Sequence, residues 1–575
     1  MKYLPPMDDE AGWRHLLFAL TGLTFVVYLY IAFFYPGTLT YSPFTIQDDQ
    51  RLFLAWMARI GDPSAMPGDL IADYWQSVSP LAYRALFEGM AALGVTPLVF
   101  ARLLPLPLMA LCAWMAWRIA MRLTGSPVAA FVMAAMTMGF LFHEDSVFSA
   151  TPRAFSSPLF LVFLDALLRR RGLLMVVTLF LLSSMYPTTA LVGFGMLGLS
   201  YVRLIPRPKI ILTGRSIALM ASAAAVVVLA AVPLKSNSDV WDPVVTLDEA
   251  MTMPIMSEPN GRTKIVDAEG NIGWVCSYRM GFLPEIVPCD EGIPAAGLAD
   301  FLLLSPLLIF AAIAAFRGAR GLQTGGNEIY LWALIAAIVG YTIALVFAFK
   351  LHHPSRYSQR VLGLMEFMAI GQMLGLWLQG ALRSGSLGTG ARRGAYALGT
   401  ILFVSFLTPT PGLRQPEDQK AFDYIASLPK DTRIAGLSRE LNSLSAVAGR
   451  PILATAEHAI PYHMGYYRPF EQRLKDTLEA TSSPDAGMLT AFIRKYDVDV
   501  IMMERPFFKQ NELPERYGDI VPEAFRKAEQ ELRTGPSALE RLASRCMLYE
   551  GQTIYLISAE CLTRTAVMPQ PSIGP

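Results

Sequence analysis

Long apolar runs are the feature that most limits what this chain can fold into. A membrane-spanning helix needs about 20 mostly apolar residues. Only 17% of the 575 residues are charged and 53% are hydrophobic, whereas soluble domains carry about 25% charged residues. The sequence therefore predicts a multi-span α-helical membrane protein. The eleven segments predicted to span are 14–35, 97–119, 127–143, 154–168, 172–187, 188–205, 214–234, 299–316, 328–349, 361–382 and 394–410.

Basic residues in the connecting segments indicate the orientation, because short cytoplasmic loops are enriched in Lys and Arg. With eleven spans and a cytoplasmic N-terminus, all the basic clusters fall on one side. The first apolar run lacks a small-residue cleavage site after it, so we expect a retained helix. The outer side then receives the long loops 36–96 and 235–298. The basic clusters are Arg118 and Arg122; Arg169, Arg170 and Arg171; Arg203, Arg207, Lys209 and Arg215; Arg317 and Arg320; and Arg383, Arg392 and Arg393.

The segment after residue 410 differs from the rest of the chain. It alternates apolar strand-like runs with helix-like stretches, which is typical of a small α/β domain. We therefore expect two domains, a membrane domain over 1–410 and a soluble extracytoplasmic α/β domain over 411–575. The predicted strands are 433–437, 451–455, 498–504 and 553–558, and the predicted helices are 470–481, 485–496 and 522–533.

The cysteines provide a second indication of sidedness. Cys276 and Cys289 lie in the loop 235–298, and Cys546 and Cys561 flank a strand-like run of the last domain. Two local pairs on the same side predict disulfides in an oxidising compartment. Free thiols are the alternative, because spacing alone does not establish connectivity. The remaining cysteine, Cys112, lies in an apolar span and is expected only to pack there.

A pair of carboxylates opens the first outer loop. Asp48 and Asp49 follow the first span, directly before an amphipathic stretch. One of them could simply cap a helix. Two adjacent charges at the membrane surface carry a higher electrostatic cost, which favours a functional role.

Two further outer segments are rich in ionisable residues. His143, Glu144 and Asp145 offer the oxygen and imidazole donors of a divalent cation, although no diagnostic ligand spacing is present. Arg153 follows them, and its planar guanidinium suits a phosphate or carboxylate. The other segment, KLHHPSRYSQR at 350–360, places basic residues on the outer side, against the charge rule. Such residues suit an anionic lipid headgroup, or they snorkel to outer-leaflet phosphates.

These residues together give a set of candidate binding groups. Lys350, Arg356 and Arg360 are candidates for phosphate, as is Arg153. His352 and His353 are hydrogen-bond donors or proton shuttles. With them, Tyr357 and Arg262 complete the candidate substrate-binding residues.

The predicted architecture resembles that of the C-type (GT-C) membrane glycosyltransferases. The shared features are an acidic pair in a long first outer loop, ionisable residues in short outer loops, about eleven spans and a soluble C-terminal domain. The resemblance rests on Asp48 and Asp49, with looser support from Glu144 and Asp145. It implies transfer of a sugar from a polyprenyl phosphate to a glycan, lipid or protein acceptor, with inversion. The tail lacks the WWD-type motif of oligosaccharyltransferases, which argues against protein N-glycosylation.

The resemblance also implies roles for the candidate residues. Asp48 or Asp49 acts as general base, with Asp48 slightly favoured, and the arginines with Lys350 stabilise the lipid phosphate. Glu144, Asp145 and His143 would hold a divalent metal, Mg²⁺ or Mn²⁺, if one is used. We expect the enzyme in a bacterial inner membrane, with its C-terminal domain in the periplasm.

Other functions were weighed on the same residues. A transporter or flippase for a lipid-linked glycan usually shows internal repeats and polar broken helices at the midplane. No repeat is found here, and the polar residues lie at one face, which favours catalysis at the surface over passage. A non-catalytic assembly protein would explain the tail but not the ionisable groups at outer helix ends. The net charge of +1 argues against nucleic acid as a partner.

Overall fold

The computed structural model describes residues 5–203, 209–257, 261–267, 269–275, 277–284, 294–320, 322–384 and 388–567. Each predicted span coincides with one apolar helix, except that 97–119 is divided between two. These helices run Glu10–Phe33, Pro97–Leu103, Pro105–Thr124, Pro127–His143, Ser156–Leu168, Gly172–Met185, Pro187–Leu199, Gly214–Ser238, Pro294–Ala319, Glu328–Val346, Ser355–Arg383 and Thr389–Leu407.

Several of these helices suit a membrane. In the described part of the chain, five helical stretches are long and apolar enough to cross one: Glu10–Phe33, Pro97–Thr124, Ala299–Ala319, Glu328–Val346 and Ser355–Arg383. Others are apolar but shorter than 18 residues. The expectation of a mostly helical membrane protein is thereby confirmed.

Two helices at the centre of the bundle approach each other closely. A Cβ on Gly371 would lie 2.7 Å from the Met133 Cα, and one on Gly375 would lie 2.5 Å from the Ala129 carbonyl oxygen. Small residues allow such close packing of apolar helices. Helix Ser355–Arg383 therefore runs tightly along helix Pro127–His143, and this brings the two predicted polar segments to the same end of the bundle.

The loop between the first two spans is folded. It contains a two-residue strand, Ile46–Gln47, which pairs with Leu413–Arg414 just after the last apolar helix. The pairing continues where the Asp48 amide donates to the Gly412 carbonyl at 3.0 Å. The loop helices are Gln50–Phe53, Ala58–Gly61, Leu70–Val78 and Leu81–Ala92, and the later loop contains Asp239–Trp241, Leu247–Thr252 and Pro254–Met256.

The C-terminal domain is an α/β fold around a four-stranded sheet. In spatial order the strands are Ile434–Leu437, Val500–Glu504, Ile554–Ser558 and Met547–Glu550. The first two are parallel and the other pairings are antiparallel. The helices are Gln419–Ser427, Leu441–Ala448, Met464–Ser482, Ala486–Tyr496, Arg505–Gln510, Pro522–Thr534, Ala538–Cys546 and Ala559–Val567.

Three of the four predicted strands and all three predicted helices of this domain are confirmed. The run 451–455 is not a strand: Ile452 forms only an isolated bridge to Ile434. The strand Met547–Glu550 was not predicted. Its residues alternate between half-buried and exposed, and its run is too short for that alternation to be distinctive.

The predicted disulfide between Cys546 and Cys561 is present and links a helix end to the last helix, with a Cα–Cα distance of 5.4 Å. Cys112 is free and buried, as expected. Cys276 and Cys289 lie outside the described residues.

Removing the Cys546–Cys561 bridge should destabilise the C-terminal domain. The bridge spans 15 residues of sequence, and closing a loop of that length restricts the unfolded chain by about 3 kcal/mol. We expect the Cys546→Ser/Cys561→Ser variant to melt at a lower temperature than the wild type in detergent. Reductant applied to the double variant is the control; if the wild type and the variant melt together, the bridge contributes no stability.

Candidate functional site

The acidic pair is placed by the short strand that precedes it. Asp49 directly precedes helix Gln50–Phe53, at its N-cap position, but its side chain makes no capping hydrogen bond. The Asp49 amide instead donates a hydrogen bond to the Gln47 side-chain oxygen at 2.8 Å. Capping therefore does not account for either carboxylate, because both are used by arginines.

Asp49 and Asp145 share one guanidinium. The Arg153 Nη2 atom lies 2.5 Å from the Asp49 Oδ2 atom and 2.8 Å from the Asp145 Oδ1 atom. Arg153 sits in the short turn Pro152–Phe155, which follows the acidic segment. The first and second predicted segments thus meet through a single buried cation.

The two carboxyl groups respond differently to this setting. Burial raises the pKa of Asp49, but Arg153, Arg262, Arg279 and Arg360 outweigh it, so the pKa lies below its usual value. Burial also raises the pKa of Asp145, where the nearby charge of Asp49 adds to the effect and the net shift is upward. Asp49 is therefore ionised throughout the neutral range, and it lies beside a carboxyl group that gains a proton more readily.

The residues expected to bind a divalent metal are engaged elsewhere. Glu144 pairs with Arg360, and Ser146 donates to Glu144. The His143 Nδ1 atom lies 2.9 Å from the Gly139 carbonyl oxygen, within its own helix. Among the described residues, no three His, Cys, Asp or Glu side chains form a possible metal-binding group. Since Asp145 also pairs with Arg153, the groups as arranged do not fit the expected metal.

Asp48 faces a different set of partners. Its carboxylate pairs with Arg51, three residues ahead, and with the Arg414 Nε atom at 3.1 Å. Arg51 in turn contacts Glu457 of the C-terminal domain, which also pairs with Arg262 of the loop 235–298. Asp48 therefore belongs to an ion-pair chain that connects three parts of the protein.

Two arginines of the site lack such a partner. Arg279 and Arg356 form no ion pair with any carboxylate among the residues that the structure describes. Their guanidinium carbons lie 4.7 Å and 4.9 Å from the ring centre of Tyr278. Arg356 is only 6% exposed. A buried charge without a counter-ion is costly, so this corner of the site is suited to an anion.

The positive charge of these arginines lowers the pKa of the Tyr278 hydroxyl. Arg356, with Arg279, Arg153 and Arg360, lowers the pKa of its hydroxyl to about 7 against the effect of burial. Neither Tyr278 nor Arg279 was among the site residues predicted from the sequence. The available signal was Arg279 itself, a basic residue on the predicted outer side, which the charge rule disfavours.

The remaining predicted residues take several positions. The His353 Nε2 atom lies 2.6 Å from the Tyr462 hydroxyl of the C-terminal domain, and His352 packs against the same ring. The Tyr357 hydroxyl donates to the Leu351 carbonyl oxygen at 2.9 Å and its ring is buried. Lys350 is exposed. Of these, the two histidines lie where the domains meet, whereas Tyr357 is engaged in packing.

The solved structures that this chain resembles are membrane glycosyltransferases. The apo oligosaccharyltransferase of Archaeoglobus fulgidus aligns over 89% of this chain and 72% of its own, with a TM-score of 0.50 and 10% identity. The arabinofuranosyltransferase AftD from mycobacteria aligns over 87% of this chain and 37% of its own, with a TM-score of 0.43 and 16% identity. No protein-family model matches the sequence, and no curated protein matches it.

The likeness to the oligosaccharyltransferase confirms the GT-C resemblance at the level of the fold. At 10% identity, it establishes the fold alone, since one fold supports different activities. The function has to be argued from the site.

The folded protein should lose stability in acid because of the buried His458. His458, fully buried, bonds to Thr455 at 3.0 Å. Burial, with Arg51 and Arg262 nearby, lowers its pKa to about 3. Below about pH 6.5 the unfolded chain takes up a proton there that the folded one does not, which costs about 2 kcal/mol at pH 5. We expect the melting temperature to fall from pH 8 to pH 5, and to fall less in His458→Gln. The exposed His15→Gln is the control; equal falls in all three proteins would contradict the assignment.

Proposed function

We propose that this protein is an integral membrane glycosyltransferase that transfers a sugar from a polyprenyl-phosphate donor to an acceptor. The observation that carries the proposal is the pair of arginines without carboxylate partners among the described residues, Arg279 and Arg356, beside a cluster of half-buried carboxylates. A transferase of this class needs both an anion site for the leaving phosphate and a base for the acceptor. The GT-C fold supports the same conclusion.

In this proposal Asp49 is the base. Its carboxylate takes the proton of the acceptor while the acceptor atom forms a bond to the anomeric carbon of the sugar. The bond from that carbon to the phosphate oxygen breaks, and its electron pair stays on the lipid phosphate. Attack from the side opposite the phosphate gives inversion of the anomeric configuration.

Arg279 and Arg356 stabilise the charge that develops on the leaving phosphate. Cations that the fold already holds in position act strongly on such charge. Tyr278, whose ring centre lies 4.7 Å and 4.9 Å from the two guanidinium carbons, donates a further hydrogen bond to a phosphate oxygen while its hydroxyl is protonated. Arg153 keeps Asp49 and Asp145 in place. No step is assigned to a metal, since Glu144 and Asp145 pair with arginines and His143 bonds to the Gly139 carbonyl.

The orientation proposed for the protein follows from the basic clusters. The N-terminus lies in the cytoplasm of a bacterial cell, and the site and the α/β domain lie on the periplasmic face of the inner membrane. The acceptor is a glycan, a lipid or a protein that reaches that face.

The test is a transfer assay with the full-length protein in lipid nanodiscs. A panel of radiolabelled polyprenyl-phosphate sugars is incubated with a cell-envelope extract as the source of acceptor. We expect one donor to release lipid phosphate and to label a product only when the protein is present. Donor that crosses the bilayer of a vesicle without being cleaved would instead indicate a flippase and overturn the proposal.

A further inference from the structure

Glu457 belongs to the soluble domain, yet its carboxylate binds two loops of the membrane domain. One oxygen pairs with the Arg262 Nη2 atom. The other lies 3.0 Å from the Arg51 Nη2 atom, and the Glu457 side chain is 18% exposed. The Glu457 amide donates to the Asn442 side chain at 3.1 Å, which ties it to helix Leu441–Ala448.

Arg51 links Glu457 to the acidic pair, because it also binds Asp48. Its Nη2 atom pairs with the Asp48 carboxylate, and its Nε atom donates to the Asp48 carbonyl at 2.9 Å. The backbone carbonyl and the side chain of Asp48 are thus held by one guanidinium. That guanidinium is itself held by Glu457, so the soluble domain fixes the turn that presents Asp49.

Arg262 links the charge of Glu457 to the pKa of Asp49. It is one of the arginines that lower the pKa of Asp49, and the nearby negative charge of Glu457 partly neutralises it. The carboxylate of Glu457 therefore moderates the positive field at Asp49 in addition to ordering the loop.

We propose that Glu457 is a positioning residue for the acidic pair, through which the soluble domain sets both the geometry and the basicity of Asp49. This inference rests on the proposed function. In this assignment the C-terminal domain affects the chemistry through Arg51 and Arg262 and does not itself contact the substrate. An ion pair that only joined the domains would affect stability and leave the pH profile unchanged.

The experiment compares Glu457→Gln with wild type, using the donor that the wild type cleaves in the transfer assay. Loss of positioning should lower kcat about 10- to 100-fold. Without the Glu457 charge the positive field at Asp49 rises, its carboxylate is stabilised further, and its pKa falls. We therefore expect the acid limb of the kcat/KM profile to move to lower pH.

Glu479→Gln is the matched control, because Glu479 pairs with Lys527 at 2.6 Å on the exposed surface of the same domain. It should retain the wild-type kcat and pH profile. The variant Glu457→Gln/Arg262→Gln removes the Arg262 charge together with that of Glu457, and we expect its acid limb to return toward the wild-type position while kcat stays low. If Glu457→Gln does not fold, this double variant carries the test, and a wild-type kcat in it overturns the proposal.

The outcomes separate this inference from the function on which it rests. A wild-type kcat and acid limb in Glu457→Gln, together with an inactive Asp49→Asn, overturns the positioning role alone. An active Asp49→Asn overturns the role proposed for the acidic pair, and with it the role of Glu457.

Discussion

Replacing Asp49 by Asn should reduce kcat by about 10²- to 10⁴-fold, the range that a general base contributes. The amide is nearly the same size as the carboxylate and keeps its shape, but it does not accept the acceptor's proton. Arg153 retains Asp145 as a partner at 2.8 Å, so the guanidinium is not left without a counter-ion. The melting temperature should therefore stay close to that of the wild type while transfer is lost.

Asp48→Asn should have a smaller effect than Asp49→Asn. The Asp48 carboxylate pairs with Arg51 and with Arg414, so its loss loosens the loop but removes no base. Asp62→Asn is the matched control: Asp62 lies in the same loop and pairs with Lys430 at 3.1 Å. Wild-type kcat in Asp49→Asn, or a larger loss in Asp48→Asn, would assign the base to another group.

The helical bundle could be predicted from the sequence because each spanning helix is determined by the residues of its own segment. A backbone in lipid has to satisfy its own hydrogen bonds, so each span must be a helix and must be apolar along its length. Every predicted span accordingly coincides with a helix. The parallel strands Ile434–Leu437 and Val500–Glu504 were visible for a similar reason, as short buried apolar runs between turns.

The identity of the outer residues was predictable, but their partners were not. Asp145 and Arg153 were assigned to a metal and to a phosphate, whereas the structure pairs them with each other and with Asp49. The pairing of Arg153 with Asp49 depends on where the folded first loop places Asp49, far away in the sequence, and no sequence pattern encodes that placement.

Glu457 shows a second limit of the sequence. It lies in the C-terminal α/β fold at a position without charge pattern or motif, and the role proposed for it depends on two arginines far away in the chain. Tyr278 is similar, since an isolated tyrosine in a loop carries no signal until two guanidinium groups surround it. Such residues become visible only when the parts of the fold are brought together.

Replacing both Arg279 and Arg356 by Gln should abolish binding of a lipid phosphate. A hydrogen bond to a charged group contributes about 1.5–3 kcal/mol, so losing two guanidinium contacts predicts a rise in Kd of roughly 10²- to 10⁴-fold. The probe is farnesyl phosphate, with farnesol and inorganic phosphate to separate the contribution of the headgroup from that of the chain. Binding is measured by tryptophan fluorescence on the full-length protein in nanodiscs.

The same variant should fold at least as well as the wild type. Because neither arginine pairs with a carboxylate among the described residues, their removal leaves no acid without its partner and relieves the repulsion between two neighbouring cations. Functional sites often hold charges that stability alone would not select. Arg564→Gln, which breaks the exposed pair with Glu560, is the control and should bind farnesyl phosphate as the wild type does. Retained binding in the double variant, or a collapse of its melting temperature, would show that the two arginines serve the fold and that the phosphate binds elsewhere.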